Sequence, residues 1–276
     1  MQVVRKNRGR ILMSFNIAKY GPWALVTGAS SGLGAEYCRQ LAAEKMNIVL
    51  VARRQDRLET LASEIESAHD VTTRVITADL TTDNECTRVG RETDDLEIGL
   101  LINNAGYAVV GEYHLSDLDR QVNMTVLNCV VPVLLTNHFL PMMIERKRGG
   151  LIFLASTAGY QATASMGTYG ATKAFNLMLG ESLWKECRPH GVDSLAVSPG
   201  FTRTEFIDVA QIKSAGTFRV ATADSVVAAS LRKLGHGPSF VHGWLNKFLN
   251  FIVRISPRRA VIAITHAMLR GRSDNG

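Results

Sequence analysis

The chain has 276 residues, 46% of them hydrophobic and 20% charged, with a formal net charge of +6. That balance suits one large folded domain with a substantial core, and the sequence shows no internal repeat and no low-complexity tract. The positive excess gathers at the ends, in RKNRGR and in RISPRR plus LRGRS; no nucleic-acid motif accompanies it, so no nucleic-acid partner is expected.

Residues 1–20 read as a basic extension ahead of the fold, without an apolar run long enough for a signal peptide. Met13 is a candidate start. The main domain is expected over 21–243, and a helical extension over 244–276. Residues 23–28, WALVTG, form a short apolar strand, followed by ASSGLG and the helical stretch AEYCRQLAAEK. Strand, glycine-rich turn and helix is the arrangement that sets a dinucleotide pyrophosphate at a helix N-terminus. Gly28 suits the tight turn, Gly32 a close ligand approach, and Gly34 close packing of helix on strand. The next strand, NIVLVARR, ends in Arg53 and Arg54 where an acidic residue would favour a free ribose 2′-OH. A guanidinium suits a 2′-phosphate, so NADP(H) is the expected cofactor, with Arg53 the better candidate of the pair.

TRVITADL predicts a third strand closing on Asp79 and Leu80. GLLINNAG predicts a fourth, closing on Asn103, Asn104, Ala105 and Gly106. Asn side chains at a strand end can brace neighbouring backbone. A long helix follows with two asparagines of interest, Asn123 and Asn128. Pro132 has no N–H for the carbonyl of residue 128, so that carbonyl is expected to be free within the helix and to take a partner such as an ordered water. Ser156 in FLASTAGY lies thirteen residues before Tyr169 in TYGATKAF, and Lys173 follows Tyr169 by four. Residues four apart share one helix face. A fixed cation beside a phenol favours the phenolate, and a serine can hold the oxygen that the phenol protonates.

Together TGASSGLG, NNAG, the Ser–Tyr-x-x-x-Lys set and SPGFTRT resemble the short-chain dehydrogenase/reductase family, from about residue 23 to 204. The resemblance implies a single-domain α/β fold, a Rossmann-like doubly wound parallel sheet flanked by helices, and nicotinamide-dependent hydride transfer. It implies catalytic roles for Ser156, Tyr169, Lys173 and, by its spacing to the serine, Asn128. The pyrophosphate turn would comprise Gly28, Ser30, Ser31, Gly32, Leu33 and Gly34. Asp79 and Leu80 would meet the adenine, and Asn104, Ala105 and Gly106 the adenosine. Pro199, Gly200, Thr202 and Thr204 would lie at the nicotinamide end, where Tyr169 and Lys173 also touch the cofactor. The expected activity is an NADP(H)-dependent interconversion of ketone or aldehyde and alcohol. The mainly apolar segment 205–221 suggests an apolar substrate, with acyl and steroid-like ligands both open. A non-catalytic NADP(H) sensor or scaffold and a membrane-surface protein are the alternatives.

Cys38, Cys86, Cys129 and Cys187 are scattered, three of them in helical patterns. No pair has metal-ligand spacing, so no metal site is expected and a reducing, cytoplasmic setting is. No segment reaches the uninterrupted apolar length of a membrane span. The apolar surface of 126–143 is compatible with a homodimer or homotetramer. WLNKFLNFIVRISPRRAVIAITHAMLRGR reads as two short amphipathic helices broken at Pro257. They are expected to pack or oligomerise, with contact to a membrane surface the less favoured reading. Trp244, Phe248 and Phe251 are candidates for a substrate entrance.

Overall fold

The computed structural model describes residues 15–203 and 220–270. Short, nearly continuous apolar runs are what a strand buried on both faces requires. They form β1 (Trp23–Thr27), β2 (Asn47–Ala52), β4 (Ile98–Asn103), β5 (Gly149–Leu154) and β6 (Val192–Ser198). With β3 (Thr73–Thr77) at one edge and β9 (Ser239–Val241) at the other, they make a seven-stranded sheet in the order β3-β2-β1-β4-β5-β6-β9. Every pairing is parallel. The third strand stops at Thr77, so Asp79 and Leu80 lie in the turn beyond it rather than at its last positions.

Alternate residues of each strand feed two separate cores. Ala24, Val26, Ile48 and Leu50 meet α2 (Gly32–Ala43), α3 (Gln55–Ala68) and α8 (Ala223–Lys233) on one face. Leu25, Val49, Val51 and Leu101 meet α4 (Glu85–Arg91) and α6 (Val131–Glu145) on the other, with the end of α7 (Gly167–Cys187). Helices on both faces define a doubly wound sheet, and the strand order reverses between β1 and β4. Ligands of such sheets bind at that switch point, beyond the carboxyl ends of the strands. A first short helix, α1 (Ile17–Tyr20), closes the opposite end, where the Tyr20 hydroxyl donates to Asp193 Oδ2 at 2.6 Å.

Ahead of α6, α5 (Leu118–Thr125) runs into a π-helical turn at Val126–Val130. Pro132 explains this widening: its missing N–H breaks the regular ladder one turn back. The run Leu118–Glu145 is long and apolar enough to cross a membrane by length and composition, but Leu135, Phe139 and Met143 pack into the sheet core. All four cysteines, not three, lie in helical segments, and all are free thiols. After a small ladder of β7 (Thr202–Arg203) and β8 (Ala221–Thr222), the chain ends in α9 (Trp244–Ile255) and α10 (Arg258–Arg270), separated at Pro257.

Candidate active site

The glycine turn joins β1 to α2. Gly28 and Gly32 have φ of +67° and +56°, backbone that L side chains adopt with strain. A Cβ on Gly34 would overlap the Gly28 carbonyl oxygen and stand 2.6 Å from Asn104 Nδ2. Thr27 and Asn104 lock β1 to β4: Thr27 Oγ1 accepts from the amides of Asn104 and Ala105, each at 3.0 Å, and Asn104 Nδ2 donates to the Thr27 carbonyl at 2.8 Å. Ser31 begins α2 but makes no side-chain cap. Its hydroxyl accepts from Arg54 at 2.9 Å instead. The first amides of α2 therefore lack that cap, which fits them to an anionic group such as a pyrophosphate.

Of the two arginines after β2, Arg54 reaches this turn and Arg53 reaches toward Asp79. Arg54 also donates to Ser30 Oγ at 3.1 and 3.2 Å. Arg53 is largely exposed, with Nη1 3.8 Å from Asp79 Oδ2. Burial opposes ionisation of Asp79, but hydrogen bonds from the Thr81 hydroxyl and amide, with the Arg53 charge, hold its carboxyl below the ordinary value.

Ser156 follows β5 and opens a 3-10 turn, Thr157–Tyr160, where its hydroxyl accepts from the Ala158 amide at 3.1 Å. Tyr169 and Lys173 lie one turn apart on α7, with Lys173 Nζ 5.8 Å from the Tyr169 ring centre. The ammonium donates to the Leu154 carbonyl at 2.7 Å. Burial governs both groups. It pushes the Tyr169 phenol up to about 12, opposed by a hydrogen bond with Ser156. It pulls the Lys173 ammonium down to about 8, opposed by the charge of Cys129. The neighbouring cation thus does not by itself bring the phenol toward neutrality as the spacing suggested, because desolvation is the larger effect here.

The two asparagines separate clearly. Asn123 Nδ2 donates to Thr81 Oγ1 at 2.8 Å, which ties it to the Asp79 end. Asn128 Nδ2 donates to the Tyr107 carbonyl at 3.1 Å and to Thr172 Oγ1 at 2.9 Å, which ties it to α7. The carbonyl of Asn128 takes a partner from outside its own helix, as the missing N–H of Pro132 predicts, but that partner is a side chain rather than a water. The carbonyl accepts from Asn176 Nδ2 at 2.7 Å, a donor brought from α7 that sequence spacing could not supply. A Cβ on Gly106 would lie 2.7 Å from Asn128 Oδ1 and 3.5 Å from Lys173 Nζ, so these three residues are packed together.

One cavity of about 870 Å³ runs from the glycine turn to Tyr169. Its lining includes Gly28, Ser30, Ser31, Gly32, Leu33, Arg53, Asp79, Leu80, Asn104, Ala105 and Gly106 at one end. Ser156, Tyr169, Lys173, Pro199, Gly200 and Thr202 line the other. Gly34 and Asn128 stand behind the wall, and Thr204 lies outside the described residues, as do Glu205, Phe206, Ile207, Val209, Ile212, Lys213 and Phe218 of the apolar segment. Trp244, Phe248 and Phe251 do not line this cavity. Thr265 of α10 does, and so does Gln161, whose buried Oε1 has no hydrogen-bond partner among the described residues. Neither Gln161 nor Thr265 carries a pattern that sequence reading could have detected. Arg54 was visible beside Arg53.

Residues 22–213 match the family described as short chain dehydrogenase. The chain belongs to that family. It is 36% identical over 191 residues to a very-long-chain 3-oxoacyl-CoA reductase of Pyricularia oryzae, covering 66% of this chain and 58% of the relative. The chain thus spans little more than half the length of that curated relative. Among solved structures, one from a study of 7β-hydroxysteroid dehydrogenase stereoselectivity superposes with a TM-score of 0.85 at 27% identity, covering 92% of this chain and 99% of the other. A short-chain dehydrogenase from Sphingobium yanoikuyae in complex with NADPH gives a TM-score of 0.77 at 30% identity, covering 86% and 97%.

Proposed function

We propose that the protein is an oxidoreductase that interconverts a ketone or aldehyde and an alcohol on an apolar substrate, using NADP(H). The observation that carries this reading is the convergence of Ser156, Tyr169 and Lys173 at one end of a cavity whose other end is a glycine turn flanked by Arg53 and Arg54. The names of the relatives, an acyl-CoA reductase and a hydroxysteroid dehydrogenase, support an apolar carbonyl or alcohol as substrate class. The NADPH complex of a neighbour supports the cofactor choice.

When bound, the nicotinamide supplies or accepts the hydride. The chain's residues handle binding and the proton. The Gly28–Gly34 turn and the uncapped amides of α2 would hold the pyrophosphate, Asp79 with Leu80 the adenine, and Asn104, Ala105 and Gly106 the adenosine. Arg53 would meet the 2′-phosphate while Arg54 braces the Ser30–Ser31 turn. Pro199, Gly200, Thr202 and Thr204 would border the nicotinamide end. Ser156 Oγ holds the substrate oxygen, and the Tyr169 hydroxyl, protonated at neutral pH, gives its proton to that oxygen in the reductive direction. Lys173 then stabilises the phenolate left behind. Asn128 fixes the wall beside Lys173 through Gly106, and Gln161 offers an unused acceptor to a substrate hydroxyl.

The exposed apolar face formed by Val130, Val133 and Leu134, with Met178 of α7, supports association into a homodimer or homotetramer. Four free thiols are consistent with a cytoplasmic setting. Fluorescence titration with NADPH and NADH, on wild type and Arg53→Asp, tests the cofactor assignment. We expect NADPH preference in the wild type and its loss in the variant, followed by NADPH oxidation against ketones of graded chain length. Equal affinity for both cofactors removes Arg53 from its role. Binding of neither turns the reading toward a scaffold.

A further inference from the structure

Two features of the C-terminal region play no part in carbonyl chemistry. The first is an exposed stripe on α9. Trp244, Phe248, Phe251 and Ile255 follow one another at helical spacing and are 73%, 55%, 59% and 65% exposed. Aromatic rings of this kind suit the boundary between water and lipid.

The second is a cavity of about 370 Å³ beside the same helix, which Phe251 of the stripe also lines. Lys233, His236, Lys247, Asn250 and Arg254 line it, and among the described residues no carboxylate does. Asn250 is buried, and its Nδ2 has no hydrogen-bond partner among the described residues. A buried N–H donor in that position is costly unless something accepts from it. Lys247 and Arg254 rest on the rings of Phe240 and Tyr160, each at 5.6 Å, and pair with no described carboxylate. Four nitrogen-bearing side chains around an unused buried donor form a site for an anion with several acceptor oxygens. Between Asp224 and Asp274 every Asp, Glu, Lys or Arg position is Lys or Arg.

A second copy of the chain is a poor occupant, because a two-fold contact would set this cationic face against itself. A surface bearing phosphate headgroups complements both features at once. We propose that α9 and the cavity beside it dock the protein on an anionic phospholipid bilayer. A headgroup phosphate sits in the cavity and the aromatic stripe lies in the acyl boundary. Thr265 of the following helix lines the reaction cavity, so docking holds that cavity near lipid. This inference stands apart from the carbonyl chemistry and survives its failure.

Co-sedimentation of the full chain with phosphatidylcholine vesicles, with and without phosphatidylglycerol, tests it. Binding is expected to be at least roughly tenfold tighter with phosphatidylglycerol, to weaken in high salt, and to blue-shift Trp244 emission. The pair Trp244→Ser with Phe248→Ser should abolish it. Lys233→Gln and Arg254→Gln should each weaken it roughly fivefold. Arg258→Gln with Arg259→Gln, at exposed positions, should also weaken it, with folding checked by circular dichroism. Equal binding to both vesicle types, or none, overturns the proposal. Glycerol phosphate bound as tightly as vesicles, and indifferent to loss of Trp244 and Phe248, overturns it in favour of a soluble phosphate ligand. Dimerisation through this face without vesicle binding overturns it in favour of a second copy.

Discussion

The reaction site and the C-terminal helices use the same residue types to opposite ends. At the site, Tyr169 and Lys173 are an aromatic and a cation one helical turn apart and almost wholly buried. On α9, Trp244 and Lys247 are an aromatic and a cation at similar spacing, and both are exposed, the lysine at the rim of the smaller cavity against Phe240. Burial makes the first pair chemical: it keeps the phenol protonated and leaves the ammonium titrating near 8. Exposure leaves the second pair screened by solvent and available to a partner. Residue type and spacing alone therefore do not distinguish a reacting pair from a docking face. The layer of protein around each pair does.

The sharpest way to break this contrast is at the buried end. Tyr169→Phe keeps the packing but removes the proton, and turnover should fall by about 10²–10⁴-fold, with NADPH affinity nearly unchanged in a fluorescence titration. Retained turnover would remove Tyr169 from the acid role. Gly34→Ala puts a methyl against the Gly28 carbonyl. It should cost about 3 kcal/mol and weaken cofactor binding, read as a lower Tm and a higher Kd. Asn176→Leu withdraws the donor from the Asn128 carbonyl. A buried carbonyl left unpaired should cost about 2 kcal/mol in chemical denaturation.

The protonation contrast has its own test. Lys173 carries its charge below about pH 8 and loses it above. Reductive turnover should therefore be flat through neutral pH and decline above about 8, and Lys173→Met should remove that inflection from the profile. A profile unchanged by that substitution would detach Lys173 from the proton chemistry. The smallest effect belongs to the exposed end: Phe248→Ser should change folding stability by no more than about 0.5 kcal/mol. A larger loss would mean that α9 packs more tightly than its exposure shows.

Much of this protein was legible in its sequence because local rules govern it. The strand at 23–27, the turn at Gly28–Gly34 and the tyrosine–lysine pair each depend on residues within one or two turns of one another, and a buried parallel strand declares itself by an unbroken apolar run. The doubly wound parallel sheet was implied by the family resemblance, whereas its seven strands and their order came from the structure. What only tertiary structure decided was who meets whom across the sheet. Asn176 reaches the Asn128 carbonyl from another helix, so the partner that Pro132 made necessary is a side chain the sequence could not name. Gln161 and Thr265 enter the cavity from a loop and from the C-terminal helix, with no pattern to announce them. Burial, which sets the ionisation of Tyr169 and Lys173, is a property of the surrounding layers and not of the tetrapeptide between them. The same reason explains α9: its amphipathic sequence foretold a helix with an apolar face, but only the packing of the rest of the chain left that face in water.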